Sequence, residues 1–179
     1  MPLAVTHILV VIFLIEIFRA YVIKDNKKFP RYYILIGALG AVIPDFDIGA
    51  YYIFSFFGFS LEQIHRMFTH TIFIPIILLI IGLIFWKIGY KNKSAGKKHL
   101  KISYIFFILS FGSAIHLVLD MLFSEPLNIL YPFYYSIGIN WASRIPAGWM
   151  EVLPGTVDGI LILLWIAWME FKLKISEYI

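Results

Sequence analysis

Cysteine is absent from this chain, which excludes disulfides, thiolate zinc sites and cysteine nucleophiles together. A metal bound by side chains would have to be held by His, Asp or Glu. Charge is scarce too: Asp, Glu, Lys and Arg make up 15% of 179 residues and 61% are hydrophobic, against roughly 25% and 45 to 50% in a soluble domain. With a mean hydropathy of +0.85, the composition excludes an ordinary water-soluble fold and indicates a membrane protein. The first stretch, MPLAVTHILVVIFLIEIFRAYVI, lacks the basic leader and small-residue cleavage site of a signal peptide. It is expected to be a retained first span.

The apolar runs read as helices. About 20 apolar residues cross the hydrocarbon core, and residues 3–23, 71–90 and 101–123 qualify, with 156–171 as a last span. Residues 32–43 form a shorter run, broken at Pro44 by PDFD before IGAYYIFSFFGFS resumes. No repeat or low-complexity segment interrupts the pattern, and one domain over 1–179 is expected. The chain is therefore expected to be all-α, a polytopic transmembrane bundle of about five spans.

A net charge of +4 is compatible with a nucleic-acid partner, but ten of the fifteen basic residues fall in two connections, 24–31 and 87–101. That is the pattern of cytoplasmic loops, so membrane lipid is the expected partner and nucleic acid is not. With those loops inside, the N-terminus lies outside and the C-terminus inside. Residues 124–155, rich in Pro, Gly and aromatics, then fall on the outer side and are expected to cap the bundle.

This topology, drawn without reference to any motif, gathers the ionisable residues at one end. His7, Asp45, Asp47, His65, His70, His116 and Asp120 all fall toward the extracytoplasmic side, with Glu151 and Asp158 flanking the outer start of the last span. Such groups cost several kcal/mol in a membrane unless paired, hydrated or metal-bound. Convergence of four of the five histidines therefore points to a shared site, in preference to polar contacts that only join helices. His116 and Asp120 are four apart and share a helix face, as ligands of one metal or as a ligand and its orienting partner. Asp45 and Asp47 follow Pro44, where a turn could aim both inward, the alternative being helix-capping aspartates. His65 and His70 stand about 140° apart on a straight helix, so they share a site only if the helix starts between them or if they serve adjacent metals. Thr69 is expected to cap that helix, with His70 in its first turn. The fork of Arg66 suits an anionic group such as phosphate. Glu16 lies mid-span and is expected to make a helix–helix or water contact, and His99 belongs to the lysine-rich loop.

Taken together, the TH of the first span, GALGAVIPDFD, HRMFTHT and HLVLDMLFSEPLNILYPF resemble, in order and spacing, the YdjM-type family of membrane-bound metal-dependent hydrolases. The resemblance covers roughly residues 6–133; Thr71 stands where the family usually has Ser, and the last span matches loosely. It marks His7, Asp45, Asp47, His65, Arg66, Thr69, His70, His116 and Asp120. The family's site is in turn distantly similar to that of zinc-dependent phospholipase C. The resemblance thus implies hydrolysis of a phosphoester, lipid or headgroup, at the membrane surface.

Imidazoles and carboxylates suit zinc, with manganese or magnesium if carboxylates dominate, and two or more ions are expected. Arg66 would hold a phosphate oxygen, and Asp47 or Asp120 would serve as general base. Two other readings compete. A metal-stabilised scaffold or regulator would have a closed coordination shell. An ion or metal transporter would continue its polar residues across the bilayer, and apart from Glu16 there are almost none below the cluster.

Overall fold

The computed structural model describes residues 4–25, 29–65, 68–91, 96–124 and 126–174. Arg66 and the side chain of His99 lie outside the described set. In hydrocarbon every backbone N–H and C=O must be satisfied within the protein, which leaves helices as the solution for apolar runs of this length. Five helical stretches are long and apolar enough to cross a membrane: Ala4–Ile23, Tyr32–Phe57, Phe73–Lys91, Leu100–Phe123 and Gly148–Lys172. The expected all-α bundle of five spans is what the chain forms.

The first span is α1 (Ala4–Ile17), continued by a wider π-helical turn over Phe18–Ile23. The second begins as α2 (Tyr32–Val42), tightens into a 3₁₀ turn at Ile43–Asp45 and goes on as α3 (Phe46–Phe54). Pro44 does not end this span. It has no N–H to give the Gly40 carbonyl, which is bonded by Ile43 N instead; the turn shortens from four residues to three and the helix resumes. A single turn, α4 (Leu61–Ile64), leads to α5 (Phe73–Lys91), which pairs with α6 (Gly96–Phe123).

Small residues set how closely these helices pack, as expected where no hydrophobic effect drives helices together. α2 lies between α1 and α6. A Cβ at Gly112 would come within 2.5 Å of the Gly37 carbonyl oxygen, and one at Gly40 within 2.6 Å of the Leu109 oxygen. This contact continues into the core of Val11, Ile15, Tyr33, Ala41 and Ile108. Serines supply buried polar links between α5 and α6: Ser103 donates to the Gly82 carbonyl and Ser110 to that of Pro75.

After α6 the chain folds back over the end of the bundle. A two-residue hairpin pairs β1 (Leu127–Asn128) with β2 (Ser136–Ile137), and the short α7 (Ala147–Met150) precedes α8 (Leu153–Leu173). Leu127 and Ile129 are buried. Backbone bonds from Ile72 to Ile129 and from Ile139 to Met121 tie the start of this segment to the approach to α5 and to α6. α8 rests on α1, where Thr6 donates a hydrogen bond to the buried Asp158.

Candidate metal centre

The close α2–α6 packing decides the first half of the site. It brings the Ala41 carbonyl 2.6 Å from Nδ1 of His116. A carbonyl only accepts, so Nδ1 carries the proton and Nε2 keeps its lone pair. One turn on, Asp120 receives Ser124 Oγ at Oδ1, 3.0 Å away, and faces His7 Nε2 at 3.4 Å. The His7 and His116 rings stack at 4.0 Å.

The second half comes from the Pro44 turn and the connection before α5. Asp45 occupies the cap position of α3 but makes no capping bond; its carboxylate is turned instead toward His70 and His116. That settles the alternative of helix-capping aspartates for Asp45. Asp47, in the first turn of α3, receives His65 Nδ1 on one oxygen and His70 Nδ1 on the other, both at 3.1 Å. His70, like His116, is thus held by Nδ1, leaving Nε2 to face the cluster.

Thr69 does not cap the third span. α5 begins only at Phe73, because the Ile72 N–H is drawn to the Ile129 carbonyl of the covering segment. His65 follows the end of α4 and His70 precedes the start of α5, so the two do not share one straight helix and helical spacing does not limit their meeting. Their rings lie 5.0 Å apart, nearly perpendicular.

The resulting geometry is specific. His70 Nε2 is 3.4 Å from Asp45 Oδ1 and 3.6 Å from Asp120 Oδ2; His116 Nε2 is 3.6 Å from each of the same two oxygens. Ligands about 2.0 to 2.1 Å from a tetrahedral ion stand roughly 3.3 to 3.4 Å from one another. Both Nε2 atoms are buried and make no hydrogen bond within the described residues. Imidazole nitrogens and carboxylates at these distances could hold a metal ion.

Further donors extend the set. His7, His116 and Asp120 form one group able to hold an ion, Asp45, His70 and His116 a second, and Asp47, His65 and His70 a third. These groups share His116 and His70. Among the described residues, Glu151 and Asp158 belong to no such group. Burial opposes charge on His70, but the carboxylates of Asp45, Asp47 and Asp120 around it favour the charged form, so its pKa rises from 6.5 to about 9.

All seven metal-ligand candidates are thus gathered in one cluster, at the end of the bundle away from the lysine-rich connections. A sequence profile of the YdjM inner membrane protein family matches residues 1–175. The chain belongs to that family. No curated protein and no solved structure matches it. The match runs past the span of the motifs and includes α8, so in this YdjM-family chain the last helix is part of the family unit.

Sequence reasoning missed Ala41, Ser124 and Thr6. Ser124 had a signal, since it continues the four-residue spacing of His116 and Asp120. The glycines that bring the Ala41 carbonyl to His116 had one as well, in the small residues of GALGA. Thr6 and Asp158 gave no sign of their pairing, because 152 residues separate them.

Proposed function

We propose that this YdjM-family protein is a metal-dependent hydrolase of the membrane that cleaves a phosphoester, with its site facing the extracytoplasmic side. The observation that carries this reading is the pair of imidazoles held at Nδ1, His70 and His116, whose Nε2 atoms each lie 3.4 to 3.6 Å from Asp45 Oδ1 and Asp120 Oδ2. Zinc suits this donor set, and the overlapping groups allow a second ion near His7 or beside Asp47 and His65. A divalent ion bound there would lower the pKa of water toward neutrality and neutralise charge developing on phosphate.

The chain's own residues do the rest. Asp45 and His65 keep 21% and 19% of their side chains exposed while His70 and His116 are sealed. The cluster is thus partly accessible at these two residues, as an open coordination position requires. Both Asp47 oxygens are engaged, so Asp47 acts as a positioning residue, and His65, held at Nδ1, is the group able to take a proton on that side. Arg66 follows it directly in sequence and would hold a non-bridging phosphate oxygen. The positive-inside pattern of the lysines supports the orientation, and a site at headgroup depth favours lipid phosphoesters.

The competing reading is a metal-stabilised scaffold, favoured by the near-complete burial of His70, His116 and Asp120. One experiment separates them. Protein purified without chelator or metal-affinity tag should contain at least one zinc by elemental analysis, and after loading it should release phosphate or a phosphorylated headgroup from total membrane lipid. Bound metal with no product across lipid and soluble phosphoesters supports the scaffold; no bound metal after loading overturns both.

A further inference from the structure

One helix of the bundle is packed unlike the others. α3 carries Asp47 into the metal centre, and Asp47 is its one buried residue. Phe46, Tyr52, Ile53 and Phe54 are exposed, and no charged side chain follows Asp47 until Glu62. α1, α2, α5 and α6 pack on one another, whereas the extensive contacts of α3 among the described residues are with its flanking turns and the short α4. A 3₁₀ turn over Ser55–Phe57 prolongs the same surface with the exposed Phe56 and Phe57, and Gly58 then breaks the helix at φ 85°.

The depth of the metal centre says where this surface lies. Along α6, His116 and Asp120 stand about 24 to 30 Å from Leu100, the first residue of that span, at about 1.5 Å per residue. The hydrocarbon core is about 30 Å thick, so the centre marks its far boundary. α5 agrees, since it starts at Phe73, just after His70 and Thr71. A straight continuation from Phe46 to Phe57 would therefore carry the chain about 18 Å into water, with a contiguous apolar surface of the kind that soluble faces avoid. That surface is instead continuous with one already turned to lipid. Leu35 and Leu39 are exposed on α2, and Phe46, Ile53 and Phe57 prolong the row at intervals of seven, seven and four residues. The turn at Pro44 is where the span can leave the direction of α2.

We propose that α3 and the turn after it are seated in the acyl–headgroup boundary of the leaflet nearest the metal centre, as an in-plane apolar helix, and that this seating holds Asp47 in the centre. The polar side of the helix is a single carboxylate turned toward the protein, bonded to His65 and His70 at 3.1 Å each. Its remaining exposed surface is for lipid. The leaflet thus acts on the metal centre through one residue, Asp47. Seating and metal affinity are separate from turnover, so a failure here leaves the hydrolase reading untouched.

The chain has no cysteine, so a single spin label reports one position. Full-length protein carrying Leu39→Cys, Phe46→Cys, Ile53→Cys or Phe56→Cys is labelled with a nitroxide in vesicles of phosphatidylglycerol and phosphatidylethanolamine. Depth is read from relaxation by oxygen, which enters lipid, against chromium oxalate, which stays in water. Labels at Phe46, Ile53 and Phe56 are expected at one depth, within about 5 to 10 Å of the headgroup boundary, with the label at Leu39 deeper. Positions that move outward by about 1.5 Å per residue until chromium oxalate dominates, or spin–spin broadening between copies labelled at Ile53, would each overturn the seating. Phe56→Asp together with Phe57→Asp should drive the Ile53 label into water and lower zinc affinity about 10- to 100-fold in chelator competition, the range for a partner of metal-ligating imidazoles. A displaced label with zinc affinity unchanged overturns the tie to Asp47. Should the double variant not fold, Phe56→Asp alone gives the same two readings, and labels on the otherwise unaltered chain decide the seating in any case.

Discussion

Two sets of buried charges in this bundle solve the same problem differently. In the middle of the first span, Glu16 and Arg19 are both buried and lie 3.5 Å apart, and Arg19 Nε donates to the Phe29 carbonyl at 3.0 Å. The pair is four-fifths of a turn apart on one helix, with the guanidinium also holding the neighbouring connection, so the contact expected of Glu16 turns out to be an ion pair within its own span. At the other end, His70 and His116 spend Nδ1 on Asp47 and Ala41 and present Nε2 to carboxylates at distances too long for a good hydrogen bond. One set closes on itself; the other is spaced so that it could hold a metal ion. In a membrane, where any buried charge is costly, that difference separates a structural polar group from a binding site.

Removing a partner from each set should break the comparison most sharply. His116→Ala or Asp120→Ala should abolish metal retention in elemental analysis. Arg19→Ala should keep the metal and cost stability, about 3 to 5 kcal/mol for a buried pair losing one member, seen as a lower midpoint of thermal unfolding in detergent. Metal lost from Arg19→Ala and retained by His116→Ala would reverse the assignment. A second, smaller loss is expected at a glycine. Gly112→Leu must push α6 away from the Gly37 and Ala41 backbone and so separate Ala41 from His116. Overpacking of this kind costs about 1 to 3 kcal/mol, and metal affinity should fall with it, whereas Gly148→Leu, in open space, should change neither.

How much of this was legible in the sequence follows from the range of each interaction. The five spans and the gathering of His7, Asp45, Asp47, His65, His70, His116 and Asp120 at one end were legible, because hydropathy and lysine placement depend on position along the chain alone. The start of α5 was not, because the bond that delays it comes from Ile129, 57 residues away from Ile72 along the chain. Nor was the exchange of roles between the two aspartates. Only the three-dimensional path of the Pro44 turn shows that Asp45 faces the open Nε2 atoms while Asp47 holds the Nδ1 side.

That exchange yields the next prediction in size. Asp47→Asn keeps the shape but replaces one carboxylate oxygen by an amide NH₂, which cannot accept from a histidine N–H. Partners of metal-ligating imidazoles contribute about 10- to 100-fold to affinity. Competition with a fluorescent zinc chelator should show a loss in that range for Asp47→Asn and complete loss for Asp45→Ala. Equal effects would mean that both aspartates ligate.

The pH dependence should be about tenfold per unit over a limited window. His70 is held protonated up to about pH 9 in the metal-free protein. Its folded pKa is raised, so its contribution to metal-free stability is fully present below about 6.5 and lost as pH rises through 9. Metal binding needs the lone pair and must expel that proton. Apparent affinity should therefore rise with pH from neutrality to about 9 and then level off. Calorimetry in two buffers of different ionisation enthalpy should detect close to one proton released per ion at pH 7 from this residue; proton uptake on binding would contradict the assignment.

The smallest effect is expected at Ser124, and it tests whether the carboxylates are as deliberately held as the imidazoles. Ser124 Oγ donates to Asp120 Oδ1 at 3.0 Å, and the serine is buried. This leaves Oδ2 as the oxygen that faces both His70 and His116. Ser124→Ala removes one neutral donor to a charged acceptor, worth about 1.5 to 3 kcal/mol at most, and His7 still faces Oδ1. Metal affinity should fall by about tenfold or less, without the loss of folding expected at Gly112. If Ser124→Ala binds metal as tightly as the unaltered chain, the orientation of Asp120 is set by His7 and the helix alone, and the serine belongs with Glu16 and Arg19 among the groups that only join the bundle.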